Sequence, residues 1–518
     1  MKPNEKLAAA LKSLKEIQDK KIVAIHTENI KSIKHRQLLL KYGFILEVSK
    51  GWYIAADPSE KEGETTSWYS AYWDFASTFL FHKYGEDWCL SADQSLLLHS
   101  ENSTIPKQLL IRSPKGNNKP TPLPHSTSVF NLKTDLPNEQ LITVKNGIRM
   151  YNLQASLVYC SPRIFLSHAL EVRTGLLMIR DASEVLQILL ENGHSKLAGR
   201  LAGAFRNIGR IKIANQIIAT FKQADFDIRE EDPFAVNMDI MLHSRERSPY
   251  AIRIRLMWQE MRKTVLNIFP PAPGINLEIK AYMQNIDDVF ITDAYHSLSI
   301  ERYKVTPGLI SRVSSGEWNV ASNTEDSKQR DAMAARGYYQ AFNQVKESIQ
   351  KILNGSNAGI LSEQDHESWF RELFNPSVAA GLLQPKELAG YRNHQVYIGN
   401  SKHVPINVKA MRDAMPVLFE LLTEESEASV RAVLGHFIFV YIHPYMDGNG
   451  RIGRFLMNIM LASGGYPWTI IPVESRTTYM QALERASVDQ DITPFAEFLA
   501  FLVKENMDGR KSAELPKE

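Results

Sequence analysis

Only two cysteines, Cys89 and Cys160, occur in 518 residues. At most one disulfide can form, which excludes a stapled secreted scaffold and makes two reduced thiols the expectation. Long apolar runs are also missing, and the opening MKPNEKLAAALKSLKEI has a basic start without the uninterrupted apolar stretch of a secretory leader. A cytoplasmic protein with no membrane partner is therefore expected. The chain has no GxxxxGK phosphate loop and no internal repeat of solenoid period. It also lacks a general excess of charge: a formal net of +2 predicts no overall attraction to nucleic acid, so any basic surface must be local. What remains is ordinary globular material, 44% hydrophobic and 23% charged, in a chain longer than one core usually supports. Two to four domains are the starting expectation.

Charge is concentrated at the N-terminus, where residues 1–55 carry eleven Lys or Arg against five Asp or Glu, a net of +6. KLAAALKSLKEIQDK (6–20) has helical apolar spacing, and HTENIKSIKHRQLLLKYG (26–43) offers Thr27 as a cap and a stop near Gly43. FILEVSKGWYIAAD (44–57) reads as two strands around a Lys50-Gly51 turn. Helices followed by a hairpin suggest a winged helix. Lys31, Lys34 and Arg36 would then lie near the recognition element and Lys50 in the wing, placed to neutralise phosphates; a solvated basic face explains the same residues. Residues 61–150 mix short strand-like runs with Asn, Pro and Gly turns, and helical patterns follow through 224. From 246 onward the periodicity is helical, interrupted by NIFPPAPG (267–274) and by SSGEWNVASNTEDSKQ (314–329).

The segment HPYMDGNGRIGR (443–454) concentrates chemistry between two helical patterns. Pro444 disfavours helical geometry at His443 and so places that histidine at an element boundary. Gly448 and Gly450 permit a turn in which backbone N–H groups converge at a helix N-terminus, a setting that binds anions. Arg451 and Arg454, three apart, can clamp phosphate oxygens. Asp447 suits a Mg²⁺ ion bridging those phosphates, and His443 can take a proton from an incoming hydroxyl.

These twelve residues resemble the signature of the Fic family, with Tyr445 where Phe is typical. The resemblance extends over roughly 280–510. It implies transfer of AMP from ATP to a Ser, Thr or Tyr hydroxyl of a protein. His443 would be the base, Asp447 the ligand of Mg²⁺ with Mn²⁺ as an alternative, Gly448, Asn449 and Gly450 the anion hole, and Arg451 and Arg454 the phosphate holders. SRTTYMQALERA (475–486) resembles the segment lining the nucleoside pocket, with Tyr479 as adenine neighbour. GYRNHQVYIGNSKHVPINVKAM (390–411) resembles the family's flap, a hairpin that aligns the target by β-augmentation. HSLSIERYKVT (296–306) resembles its inhibitory helix, whose pattern is Ser or Thr, three residues, Glu, then Gly or Asn. Ser297 and Glu301 match and Arg302 departs. The implied brake is Glu301 against Arg454. GFILEVSKGWYI is similar to the winged helix heading abortive-infection antitoxins.

The expected architecture is multidomain: a winged helix-turn-helix over 1–60, a mixed α/β and helical extension over 61–235, a helical region with the inhibitory helix over 246–327, and an all-α Fic core with a β-hairpin flap over 328–510. Expected partners are ATP and a target protein. DNA binding, a homodimer and removal of AMP from a modified target stay open. So does a second class, a DNA-binding regulator or antitoxin whose Fic domain senses nucleotide.

Overall fold

The computed structural model describes residues 3–60, 64–191, 193–235, 248–275, 278–317 and 329–516. Most of the polar punctuation at 314–329, together with residues 61 and 246–247 at the expected domain starts, lies outside them. The chain forms two compact units, Met1–Arg253 with Tyr397–Val404, and Ile254–Val396 with Pro405–Glu518. No helix among the described residues is long and apolar enough to cross a membrane.

The first unit begins with α1 (Pro3–Asp19), β1 (Ile25–His26), α2 (Ile33–Lys41), β2 (Ile45–Ser49) and β3 (Trp52–Ala55). The strands form an antiparallel sheet in the order β1-β3-β2. Ala10, Leu14 and Ile17 recur along one face of α1 and pack with Ile25, Leu39, Ile45 and Tyr53. Alternation along β3 sends its neighbours the other way: Trp52 and Ile54 enter a larger core with Trp68, Tyr72, Phe75 and Phe79 of α3 (Thr66–Tyr84). Gly51 turns the hairpin at φ +79°. The expected Thr27 cap is replaced by Ser32, whose hydroxyl accepts from His35 N. Thr27 is committed elsewhere, because its N–H bonds Gly51 O and extends the β1-β3 pairing.

The rest of this unit contains β4 (Cys89–Leu90), α4 (Ala92–His99), β5 (Gln108–Ser113), β6 (Pro120–Leu123) and β7 (Thr127–Lys133), in a sheet ordered β4-β5-β7-β6 whose β5-β7 pair is parallel. The hairpin β8 (Ile142–Lys145) and β9 (Ile148–Tyr151) leads to α5 (Leu153–Tyr159), α6 (Ile164–Ser167), α7 (Ala169–Met178), α8 (Ser183–Glu191), α9 (Ser195–Asn207) and α10 (Ile211–Gln223). Both cysteines are free and buried.

After residue 248 the described chain is helical: α11 (Pro249–Ile268), α12 (Ile279–Ile300), α13 (Pro307–Ser315), α14 (Gln329–Leu353), α15 (Ala358–Ala379), α16 (Val408–Glu424), α17 (Ala428–Ile442), α18 (Asn449–Ala462), α19 (Arg476–Val488) and α20 (Thr493–Met507). Almost every residue of α17 and α18 is buried. Both are apolar around much of their circumference, so neither keeps a solvent face, and they form the centre of the second unit. The turn joining them is thereby held on both sides by core.

The expected flap hairpin is absent as paired strands, since 390–411 carries no ladder. Its polar groups are satisfied in other ways. Gln395 Nε2 donates to Pro405 O at 2.7 Å. Within the first unit, Ile105 N bonds Lys402 O at 3.1 Å and Thr65 N bonds Asn400 Oδ1 at 3.1 Å. Backbone acceptors engaged in this way are not available to a facing strand.

Candidate functional site

The α17–α18 turn starts where Pro444 ends a helix. His443, the C-cap of α17, sits in the left-handed region at φ 56°, ψ 62°, with its N–H bonded to Phe439 O. Its Nδ1 lies 3.2 Å from Val440 O. A carbonyl only accepts, so Nδ1 carries the proton and Nε2 keeps a lone pair. Burial pushes the imidazole down to about 4, against the opposing pull of the Val440 carbonyl, and keeps it neutral near pH 7. Next in the chain, Tyr445 stacks on Phe370 with centroids 4.0 Å apart and an interplanar angle of 4°. Its buried hydroxyl has no hydrogen-bond partner among the described residues.

The turn is closed by its own side chains. Asn449 accepts from Tyr445 N and donates to Tyr445 O, both at 2.9 Å. Asn449 therefore holds the loop with its amide, leaving only its backbone N–H for a ligand. Asp447 Oδ1 accepts from Gly448 N at 2.6 Å, while its carboxylate stays 64% exposed. Gly448 takes φ +85° as the N-cap of α18. A Cβ at Gly450 would lie 2.3 Å from Glu301 Oε1, so a side chain there would have to displace that carboxylate.

Two buried arginines flank that position. Arg451 lies over the rings of Phe374 and Tyr303 at 4.9 and 5.3 Å, and its Nη2 is 3.3 Å from Asp447 Oδ2. Arg454 Nε donates to Ser297 Oγ at 2.9 Å, and its Nη2 donates to Ser297 O at 3.1 Å and Glu301 Oε1 at 2.8 Å. Burial disfavours the Arg454 charge, but the Glu301 carboxylate outweighs that and holds the guanidinium firmly protonated. Among the described residues Arg451 Nε and Arg454 Nη1 are buried donors without a partner, and Arg451 Nη2 has only the Asp447 carboxylate beside it. Unmatched donors around a helix N-terminus fit a phosphate, and the exposed Asp447 carboxylate beside them fits a hydrated divalent cation such as Mg²⁺.

Ser297 and Glu301 reach the turn from the end of α12. That helix closes with Glu301 as C-cap, Arg302 N bonded to Ser299 O, and Tyr303 N bonded to Leu298 O. Those two bonds define a Schellman stop, whose next position must be left-handed. Arg302 occupies it at φ +66°. The Gly-or-Asn preference at this place in the pattern thus has a backbone cause: those residues tolerate positive φ, and Arg302 adopts it at a cost.

Tyr479 stands on α19. It is 1% exposed, its hydroxyl is 2.8 Å from His436 Nε2, and its ring packs near Phe495 and Phe498. Its place is in the core, where it orients α17 through His436. That histidine, itself fully buried, is pushed down to about 3 by burial.

Arg392 was not evident in the sequence. It is 1% exposed with no carboxylate partner among the described residues, and burial, helped by nearby Arg412, lowers its pKa to about 10. Its Nε donates to His443 O at 2.8 Å, Nη1 to His394 O at 3.0 Å and Nη2 to Ile406 O, while its own N–H bonds Pro444 O at 2.9 Å. One guanidinium thus ties the base-bearing turn to both ends of the 392–406 loop. No local pattern could reveal this, since the Ile406 and His443 acceptors lie 14 and 51 residues away in sequence.

In the first unit Lys31, Lys34 and Lys50 are exposed, and Arg36 is half-buried with its guanidinium 6.0 Å from the Tyr53 ring centre. Lys31 and Lys34 flank Ser32 at the start of α2.

Residues 361–461, 101 of the 518, match the model of the Fic/DOC family. Protein adenylyltransferase Fic of Drosophila willistoni is 37% identical over 132 residues, 25% of this chain and 26% of that protein. Protein adenylyltransferase fic-1 of Caenorhabditis briggsae is 31% identical over 149 residues, 28% and 29% of the two. The matched stretch spans 26% of the first relative's length. Among solved structures, Fic-1 from C. elegans aligns over 69% of this chain and 90% of its own, with a TM-score of 0.37 and 16% identity.

Proposed function

We propose that this chain is a protein adenylyltransferase held in a restrained state by its own α12. The observation that carries the proposal is the α17–α18 turn: a neutral histidine whose Nδ1 faces a carbonyl, beside a glycine-lined helix N-terminus where Arg451 Nε and Arg454 Nη1 are buried donors without a hydrogen-bond partner among the described residues. The acceptor hydroxyl of a target protein would give its proton to His443 Nε2 as its oxygen bonds the α-phosphorus of ATP. The bond from that phosphorus to the bridging oxygen breaks, and pyrophosphate leaves. Backbone N–H groups at Asn449 and Gly450 and the guanidinium groups of Arg451 and Arg454 oppose the negative charge that develops. Mg²⁺ bound at Asp447 would supply further charge neutralisation between the phosphates.

Glu301 supports the restraint. Its carboxylate occupies the space directly over Gly450 and pairs with Arg454, so it competes with a phosphate for the same donors. Removal of AMP from a modified target by the same turn is a second activity within this reading. For the first unit, helix, strand, helix and hairpin with lysines at the start of α2 support a winged helix that contacts DNA phosphates, aided by the positive end of the α2 dipole.

Incubation with α-labelled ATP, Mg²⁺ and cell lysate tests the main proposal. The intact chain is expected to label itself or a protein band, and His443→Ala to lower that label by about 10²–10⁴. Equal labelling by the variant would remove His443 from the chemistry, and no labelling by either protein or by Glu301→Gly would refute the activity.

A further inference from the structure

Far in sequence from the α17–α18 turn, the first unit gathers a group of side chains that the proposed activity does not use. His26 ends β1, Glu28 lies in the following turn, and His82 stands on the last turn of α3. One candidate ligand atom from each lies within 4.8 Å of the other two, the one group of its kind found among the described residues. His26 Nδ1 is 3.5 Å from Glu28 Oε2. Two ligands on a tetrahedral ion with bonds of about 2.0–2.1 Å are separated by roughly 3.3–3.4 Å, so this pair is already near a ligating separation.

The tautomer agrees. His26 Nε2 lies 3.4 Å from Thr27 Oγ1, which can take its proton, and His26 Nδ1 is a buried nitrogen without a hydrogen-bond partner. The His26 and His82 rings lie 4.7 Å apart, and each lies about as close to Trp52, at 4.8 and 5.0 Å. Trp52 gives the group an apolar wall. The scaffold beneath is fixed: His26 pairs with Trp52 across the sheet, its N–H bonds Asn29 Oδ1 at 2.7 Å, and Thr27 N bonds Gly51 O. Glu28 and His82 are exposed and can close around an ion without disturbing the core.

We propose that His26, Glu28 and His82 bind one divalent transition-metal ion of the zinc class, with the fourth position open to water. Two imidazoles and one carboxylate suit zinc, cobalt or nickel, whereas magnesium and calcium favour all-oxygen sites. The ion would join the turn that leads into α2 to the end of α3, and so would set the position of Lys31 and Lys34.

The test uses the chelator-treated full chain without nucleotide, Co²⁺ as the spectroscopic probe and Zn²⁺ in competition. Expected results are visible absorption from one tetrahedral Co²⁺ per chain, its loss on adding Zn²⁺, and a higher unfolding temperature with Zn²⁺. His82→Ala, an exposed change on a helix, should abolish all three while leaving the unfolding temperature without metal unchanged. Glu28→Gln should weaken binding at least tenfold. Absence of the Co²⁺ signal in the intact chain, or its persistence in His82→Ala, would overturn the assignment and leave a His26–Glu28 ion pair in its place.

Discussion

Glu301→Gly should raise adenylylation and lower stability together, because one hydrogen bond opposes both. Arg454 is 5% exposed, Glu301 is 27% exposed, and they meet at 2.8 Å. A hydrogen bond between charged groups contributes about 1.5–3 kcal/mol. If it must break before phosphates reach Arg454, removing it should raise the nucleotide-competent population roughly 10- to 150-fold. In the absence of ATP the same change leaves a buried guanidinium short of its counter-charge. Loss of one partner of a buried pair costs about 3–5 kcal/mol, towards the lower end here because both Ser297 acceptors remain. For a unit of this size that is a fall in Tm on the order of 6–12 °C. ATP should restore much of it by supplying a new anion, so nucleotide should stabilise the variant more than the parent. Label incorporation from α-labelled ATP and differential scanning calorimetry with and without Mg-ATP read the two effects. Adding Arg454→Ala should erase the gain in labelling, a non-additivity that independent residues would not show. Unchanged labelling with an unchanged Tm would refute the competition between carboxylate and phosphate. Loss of both labelling and AMP removal would make Glu301 a participant in the chemistry.

Arg302→Gly should raise Tm by about 1–4 °C without changing labelling, because it relieves about 1–2 kcal/mol of left-handed strain, partly offset by the greater freedom of unfolded glycine; a lower Tm would mean that the exposed Arg302 side chain makes a compensating contact. Arg392→Lys cannot serve three carbonyls with a planar fork, and should speed hydrogen exchange across 392–406 and at the His443 turn while reducing labelling; unaltered exchange there would contradict the clamp. His443 should titrate well below the ordinary value near 6.5, so its neutral form persists as pH falls and is lost only near about 4, as read by histidine NMR with His443→Ala for assignment; a midpoint at 6.5 would remove the effect of burial. Lys31→Glu with Lys34→Glu should weaken binding of the full chain to duplex DNA across sequences and flatten its salt dependence, and equal binding by parent and variant would exclude α2 as the contact.

The turn at 443–454 was legible in sequence because its conformation is decided locally. Pro444 ends one helix, Gly448 takes the positive φ that starts the next, and the Asn449 amide closes the turn onto Tyr445, all within a few residues. The long helical run after 248 was legible for a related reason, since apolar periodicity records which faces are buried. The Lys50-Gly51 hairpin followed from its turn residues in the same way. Neighbouring atoms have little choice about meeting.

Only the tertiary structure could decide what meets from far away. Periodicity marks a residue as buried or exposed but not what lies opposite it. Arg392 reaches carbonyls up to 51 residues distant, and no pattern around YRNH announces them. Tyr479 sets its hydroxyl against His436, 43 residues away in sequence. Thr27 was a sound cap by residue type, yet strand pairing claimed its backbone and Ser32 took the role. The flap's alternation suggested a ladder, but alternation cannot show that backbone acceptors are already engaged by other groups. Ser297 and Glu301 stand 157 and 153 residues from Arg454, and the motif that named them did not say why its last position should be Gly or Asn. The helix end shows why. A backbone that must turn left-handed selects for residues without a Cβ penalty, and Arg302 bears that penalty so that the carboxylate before it can face Arg454.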